Sequence, residues 1–145
     1  MAVKSTAEAV WEGDLPHGKG RVKGKSGGLA ETSVSWAART GTETGLTTPE
    51  ELLAASHAAC YSMALSGGLG RMQKPPQHLK VSATATFDKV GDGWKVTTME
   101  LAVVGKVPGI TAAEFEAAAK AASLGCPISG VMKGNVEINV RATLE

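Results

Sequence analysis

Aromatic side chains are scarce in this sequence: three Trp, two Phe and one Tyr make up 4% of its 145 residues. A chain so poor in rings has little on which bases could stack. Its formal net charge of +1 provides no strong basic surface for phosphates, so nucleic acid is not an expected partner. The same balance argues against a general binder of acidic membranes. No secretory leader is visible, because residues 1–11 hold one Lys and no apolar run. Residues 52–70 carry no Asp, Glu, Lys or Arg. They do include Ser56, His57, Ser62, Ser66, Gly67 and Gly68, and they lack aromatic or basic anchors on both sides. That stretch reads as a buried core helix and not as a membrane span. A cytoplasmic protein without membrane attachment is the resulting expectation.

Cysteine is also sparse. There are two, Cys60 and Cys126, and the three histidines His17, His57 and His78 are scattered. This matches no zinc-ligand spacing, and no metal or cofactor is expected. A static structural disulfide would be unusual in a reducing cytosol. Two inert buried thiols or a redox pair remain.

The length suits one domain, residues 1–145, with room for a real core. Residues 7–12, 19–25 and 31–36 are predicted strands of an N-terminal meander. Thr48, Pro49 and Glu51 then open a helix as cap, first helical residue and capping-box partner. Residues 52–65 are apolar or small on every face, so this helix must be surrounded by protein, and in a chain of this size a second subunit is a plausible part of that cover. Gly67-Gly68 and Lys74-Pro75-Pro76 are expected to end it. Val81, Ala83, Ala85 and Phe87 alternate with polar residues in a strand with one buried face. Gly91-Asp92-Gly93 is a hairpin turn, and residues 94–104 return antiparallel. Thr111 and Glu114 form a second capping box, opening a helix to about Ser123. Gly125 breaks it, Pro127 starts a short helix with Cys126 at its N-cap, and Val136, Ile138 and Val140 mark a last strand. The order βββ-α-ββ-αα-β predicts an α+β fold, with antiparallel sheet packed on helices.

Cys60 falls mid-helix in an apolar stretch. Free cysteine is commonly just a small buried hydrophobe, and burial alone raises its pKa and makes it inert. His57 lies one turn earlier on the same face, within reach of a Cys–His pair, although a lone helical histidine is more often structural. Cys126 stands in Gly125-Cys126-Pro127-Ile128-Ser129. If Pro127 is the first helical residue, its thiol faces unpaired N–H groups that favour a thiolate. The alternative is a packed N-cap residue. On the residues alone, Cys126 is the better candidate for a low pKa.

Four blocks together resemble one family. They are Trp11-Glu12-Gly13-Asp14; the run from Pro49 through His57-Ala58-Ala59-Cys60-Tyr61-Ser62-Met63 to Leu65; Val107-Pro108-Gly109-Ile110; and Gly125-Cys126-Pro127-Ile128-Ser129. In this order they resemble the OsmC family, which also holds the organic hydroperoxide resistance proteins. The resemblance implies antiparallel sheets around a long buried central helix, in an intertwined homodimer with active sites at the subunit interface. It implies a thiol-dependent peroxidase that reduces organic hydroperoxides. Cys60 attacks the peroxide, Cys126 resolves it to a disulfide, and an external dithiol of the lipoyl or thioredoxin kind recycles the pair. Glu50 and Arg39 match the family's partner glutamate and arginine. Arg39 would favour the thiolate and the leaving alkoxide, and Glu50 would hold Arg39. Ten residues separate Glu50 from Cys60, about 15 Å of helix, so either the loop carrying Arg39 folds back a long way or the Arg39–Glu50 pair serves the partner's Cys60, and the second is the preferred expectation. The rival readings are a non-catalytic small-ligand-binding dimer and a redox sensor.

Overall fold

The chain starts with a three-stranded antiparallel meander, β1 (Ala7–Glu12), β2 (Lys19–Gly24) and β3 (Thr32–Val34), in the order β1-β2-β3. A computed structural model describes all of residues 1–145, and its internal contacts divide them into two compact units, Met1–Leu52 and Leu53–Glu145. In the first unit a side chain at Gly20 would meet Val34 at 2.7 Å and the Trp11 ring at 2.8 Å. Glycine there lets the indole lie across the strand pair.

The third strand is shorter than the sequence predicts. Residues 31–36 were expected to be extended, but Ser35 caps a single helical turn, α1 (Trp36–Arg39). Its hydroxyl accepts the Ala38 N–H at 2.9 Å and thereby satisfies one of the turn's unpaired donors. The Thr40 hydroxyl donates to the Trp36 carbonyl, and Gly41, at φ +80°, turns the chain away. The polar alternation of Ser33 and Ser35 looks like strand; in fact the second serine serves as a cap.

Helix α2 (Pro49–Arg71) begins in the first unit and continues into the second. Thr48 accepts the Glu51 N–H at 3.0 Å as predicted. Glu51 instead accepts from the Thr47 hydroxyl, so the capping box is made on one side only. The helix does not stop at Gly67-Gly68. Each glycine costs about 1 kcal/mol in a helix, but Leu69, fully buried beyond them, anchors the last turn. Ala54, His57, Tyr61, Leu65 and Leu69 form one buried stripe. The expectation of cover on every face is not met within the chain: Ala55, Ser56, Ala59, Met63, Ser66 and Gly67 are exposed.

In the second unit β4 (His78–Val90) and β5 (Gly93–Lys106) form the predicted hairpin around Gly91, at φ +62°. Helices α3 (Ala112–Gly125) and α4 (Pro127–Met132) follow, then β6 (Glu137–Leu144). The capping box of Thr111 and Glu114 is complete. The sheet order is β4-β5-β6, and β6 runs parallel to β5, unlike the antiparallel pairing expected throughout. A parallel neighbour needs a crossover connection, and α3 with α4 is that crossover. The apolar core joins the α2 stripe to Leu101 and Val103 of β5 and to Phe115, Ala119 and Cys126. The Phe115 ring lies so close to Gly105 that a Cβ there would sit 2.4 Å from it.

Candidate active site

Cys60 and Cys126 come together within the second unit. Cys60 lies three turns into α2, on the edge of the buried stripe, and is partly exposed. Gly125 ends α3, Pro127 begins α4, and Cys126 between them caps both helices in extended conformation, fully buried. Both cysteines are reduced, and their sulfurs stand 3.2 Å apart. A disulfide requires about 2.05 Å, so a shift of roughly 1.2 Å would join them.

The two sulfurs sit in different fields. Burial pushes the Cys60 thiol up, against the Ile128 N–H that lowers it, and the neighbouring Cys126 raises it further. Burial also opposes the Cys126 thiolate, but hydrogen bonds from the Ser129 N–H, from Cys60, from the Ser129 hydroxyl and from the Ile128 N–H outweigh it. The net direction for Cys126 is down, as the N-cap position predicts. Cys126 makes no formal side-chain cap bond. A neutral thiol is a weak acceptor, and the same N–H groups count for far more once the sulfur is charged. With a proton shared between them, the sulfurs titrate as a pair.

Access separates them in the opposite sense. A hollow of about 980 Å³ opens beside α2, lined by Cys60, Ala59, Met63, Ala64, Ala118 and Ile128 among others. Cys60 is part of its wall and Cys126 is not.

His57 does not pair with Cys60. Its Nε2 lies 2.7 Å from the Ser129 hydroxyl, and both residues are buried. Its Nδ1 is buried without a hydrogen-bond partner, and burial lowers the imidazole pKa. Ser129 is a residue that the sequence reading misses; its position three residues after the cap, in the first turn of α4, is the signal for it. Tyr61 was likewise not singled out. Its hydroxyl donates to the Ala119 carbonyl at 2.9 Å, and burial, with the Cys126 charge, pushes it up to about 12.

Arg39 and Glu50 also come together, within the first unit. Arg39 ends α1 and Glu50 sits in the first turn of α2. The guanidinium grips the carboxylate by two edges, Nη2 to Oε1 at 2.7 Å and Nε to Oε1 at 3.0 Å and Oε2 at 3.2 Å. The Glu50 side chain is only 8% exposed. A buried carboxylate needs such a partner, so the pair predicted by resemblance is made within one chain.

The family model described as OsmC-like protein matches residues 41–141. The peroxiredoxin OsmC of Escherichia coli K12 is 39% identical over 139 residues, covering 96% of each chain. The organic hydroperoxide resistance protein OhrA of Bacillus subtilis is 33% identical over 97 residues, 65% of each. Among solved structures, an organic hydroperoxide resistance protein from Elizabethkingia anophelis superposes with a TM-score of 0.76 at 24% identity, covering all of both chains. An OsmC protein from Legionella pneumophila gives 0.74 at 24% identity over 99% of each. These structural likenesses carry the α+β fold.

Proposed function

This chain belongs to the OsmC-like protein family, and from that premise we propose that it is a two-cysteine peroxidase reducing organic hydroperoxides to alcohols. The observation that carries the proposal is the 3.2 Å approach of a cavity-lining sulfur, Cys60, to a buried one, Cys126. The printed names of the relatives, a peroxiredoxin and organic hydroperoxide resistance proteins, support peroxide as the substrate class.

In the proposed cycle the Cys60 thiolate attacks the terminal peroxide oxygen. The O–O bond breaks, the alkoxide takes a proton and leaves as alcohol, and Cys60 becomes a sulfenic acid. Cys126 attacks that sulfur, water departs, and a Cys60–Cys126 disulfide forms. An external dithiol of the lipoyl or thioredoxin kind returns both thiols by exchange. Arg39 is the cation assigned to the thiolate and the leaving alkoxide, because a guanidinium keeps its charge in any surroundings. Glu50 holds it. A homodimer is part of the reading, supported by the exposed small and apolar face of α2, with Met63 69% exposed.

Thiol titration tests this. One equivalent of an alkyl hydroperoxide is expected to remove two thiols per chain, and mass spectrometry to find an intrachain Cys60–Cys126 disulfide. Retention of both thiols, or a link between chains, rejects the cycle.

The lining of the hollow also sets an expected preference. A cumyl group burying about 100 Å² against Ala59, Met63 and Ile128 gains roughly 2.5 kcal/mol at about 25 cal/mol per Å². The kcat/KM for cumene hydroperoxide is therefore expected to exceed that for hydrogen peroxide by more than about tenfold. Equal or reversed values would remove the hollow from the substrate site.

A further inference from the structure

The peroxidase cycle uses two sulfurs, an arginine and a glutamate, and leaves the buried His57–Ser129 pair unused. His57 is fully buried in α2 and Ser129 nearly so in α4, and 2.7 Å separates Nε2 from the hydroxyl oxygen. A serine hydroxyl both donates and accepts, so either tautomer of the imidazole makes this bond. Nδ1 has no partner, which leaves Ser129 as the one polar tie of a ring held out of water. Such a pair gains little stability over an apolar one: replacing both partners of a buried hydrogen bond by apolar side chains of like shape is nearly neutral. What the pair supplies that two apolar side chains cannot is direction.

The bond stands beside the sulfurs. Along α2, Cys60 follows His57 by three residues; along the other segment, Cys126 precedes Ser129 by three. The two contacts are neighbouring rungs between the same two stretches of chain, which run in opposite senses. Ile128 and Met132 anchor the second stretch by apolar packing, Ile128 against the core and Met132 beside Ala54. Apolar burial is non-directional and fixes no single distance. A hydrogen bond weakens steeply away from its best geometry. Only about 1.2 Å divides the present sulfur contact from a covalent S–S bond, so a displacement of that order in α4 would undo the approach.

We propose that the His57–Ser129 hydrogen bond is a latch that sets the position of residues 126–129 against α2, and with it the effective concentration of the Cys126 sulfur at Cys60. Both are positioning residues. The proposal rests on the two-cysteine part of the peroxidase reading and adds to it what keeps the second sulfur at the first. It concerns a property of the thiol pair that any disulfide exchanger reads. With glutathione disulfide, the Cys60 thiolate attacks one sulfur, the S–S bond breaks and one glutathione leaves. The Cys126 thiolate then attacks the Cys60 sulfur and the second glutathione leaves. Two protein thiols are oxidised, and one glutathione disulfide is reduced to two thiols. The equilibrium constant of that exchange rises with how well the two reduced sulfurs are held together.

Incubation in glutathione redox buffers, with the oxidised fraction counted by mass spectrometry after quenching and alkylation, measures that constant without any peroxide. His57→Leu, Ser129→Ala and the double variant are each expected to lower it at least about tenfold, a shift of about 30 mV towards easier reduction. Thermal melting of the reduced proteins separates this from a role in stability alone. Each single variant orphans a buried polar group and is expected to lower Tm; the double variant orphans none and is expected to recover much of the loss. A purely structural pair would recover the constant together with the Tm. His57→Gln, which keeps a polar atom near the place of Nε2, is expected to hold the parent constant. A double variant with the wild-type constant overturns the proposal, and so does a His57→Gln constant equal to that of His57→Leu. Should Ser129→Ala fail to fold, His57→Leu and His57→Gln decide alone. If the wild-type chain forms no Cys60–Cys126 disulfide in these buffers, the latch has no pair to position and is overturned. A protein that makes the disulfide with glutathione but not with an alkyl hydroperoxide would instead reject the peroxidase reading, and the comparison of constants would still decide the latch.

Discussion

Cys60→Ser is expected to lower peroxide turnover by on the order of 10³-fold or more, the scale of losing a nucleophile. Cys126→Ser is expected to consume about one equivalent and stop at a sulfenic acid on Cys60. Two physical arguments compete over this assignment. Electrostatics favours Cys126 as the thiolate, because Ser129 and Ile128 hydrogen bonds lower it while burial raises Cys60. Access favours Cys60, because Cys126 is fully buried and only Cys60 reaches the hollow. Access decides which sulfur meets peroxide first, since a thiolate that substrate cannot touch does not react with it. The lowered Cys126 then suits the second step, where the electrophile is the sulfur beside it. Dimedone trapping separates the outcomes: label on Cys60 in the Cys126→Ser protein supports the assignment. Label on Cys126 in the Cys60→Ser protein would falsify it.

The parts of this structure that were legible in the sequence are those written in local chemistry. Thr48 with Pro49 and Thr111 with Glu114 marked both long helix starts, because caps act within three or four residues. The alternation of residues 81–88 marked β4. The single turn of α1 was not legible, because four residues carry no helical period and Ser35 reads as strand until its hydroxyl is seen capping Ala38. The parallel course of β6 was hidden for a different reason. Its pattern is the same in either direction, and only the path of α3 and α4 fixes which way it runs. In the site, each cysteine lay in a recognisable block and the resemblance joined them. His57 was judged against Cys60, its neighbour on the helix, whereas its actual partner, Ser129, lies on another helix. Contacts across that span are set by packing, which no spacing rule reports.

The last expectation concerns which chain supplies Arg39, and it is the hypothesis that each active site is shared between two subunits. Arg39 is bound to Glu50, and Glu50 precedes Cys60 by ten residues of α2. At 1.5 Å per residue that is about 15 Å along the helix, far more than a guanidinium bound to Glu50 can reach. If Arg39 stabilises a Cys60 thiolate, the thiolate on its partner subunit is the expected recipient. Co-expression of a Cys60→Ser chain with an Arg39→Ala chain, each carrying a different tag, allows isolation of the mixed dimer. Both parent homodimers are expected to be impaired. In the mixed dimer the Cys60→Ser chain contributes an intact Arg39 to the intact Cys60 of its partner, so one of two sites is whole. Its peroxidase rate is then expected to recover to about half that of the wild type. If Arg39 served its own chain, no site in the mixed dimer would hold both residues. A rate as low as that of the parents, in a dimer verified as intact, would assign Arg39 to its own subunit or to no catalytic role.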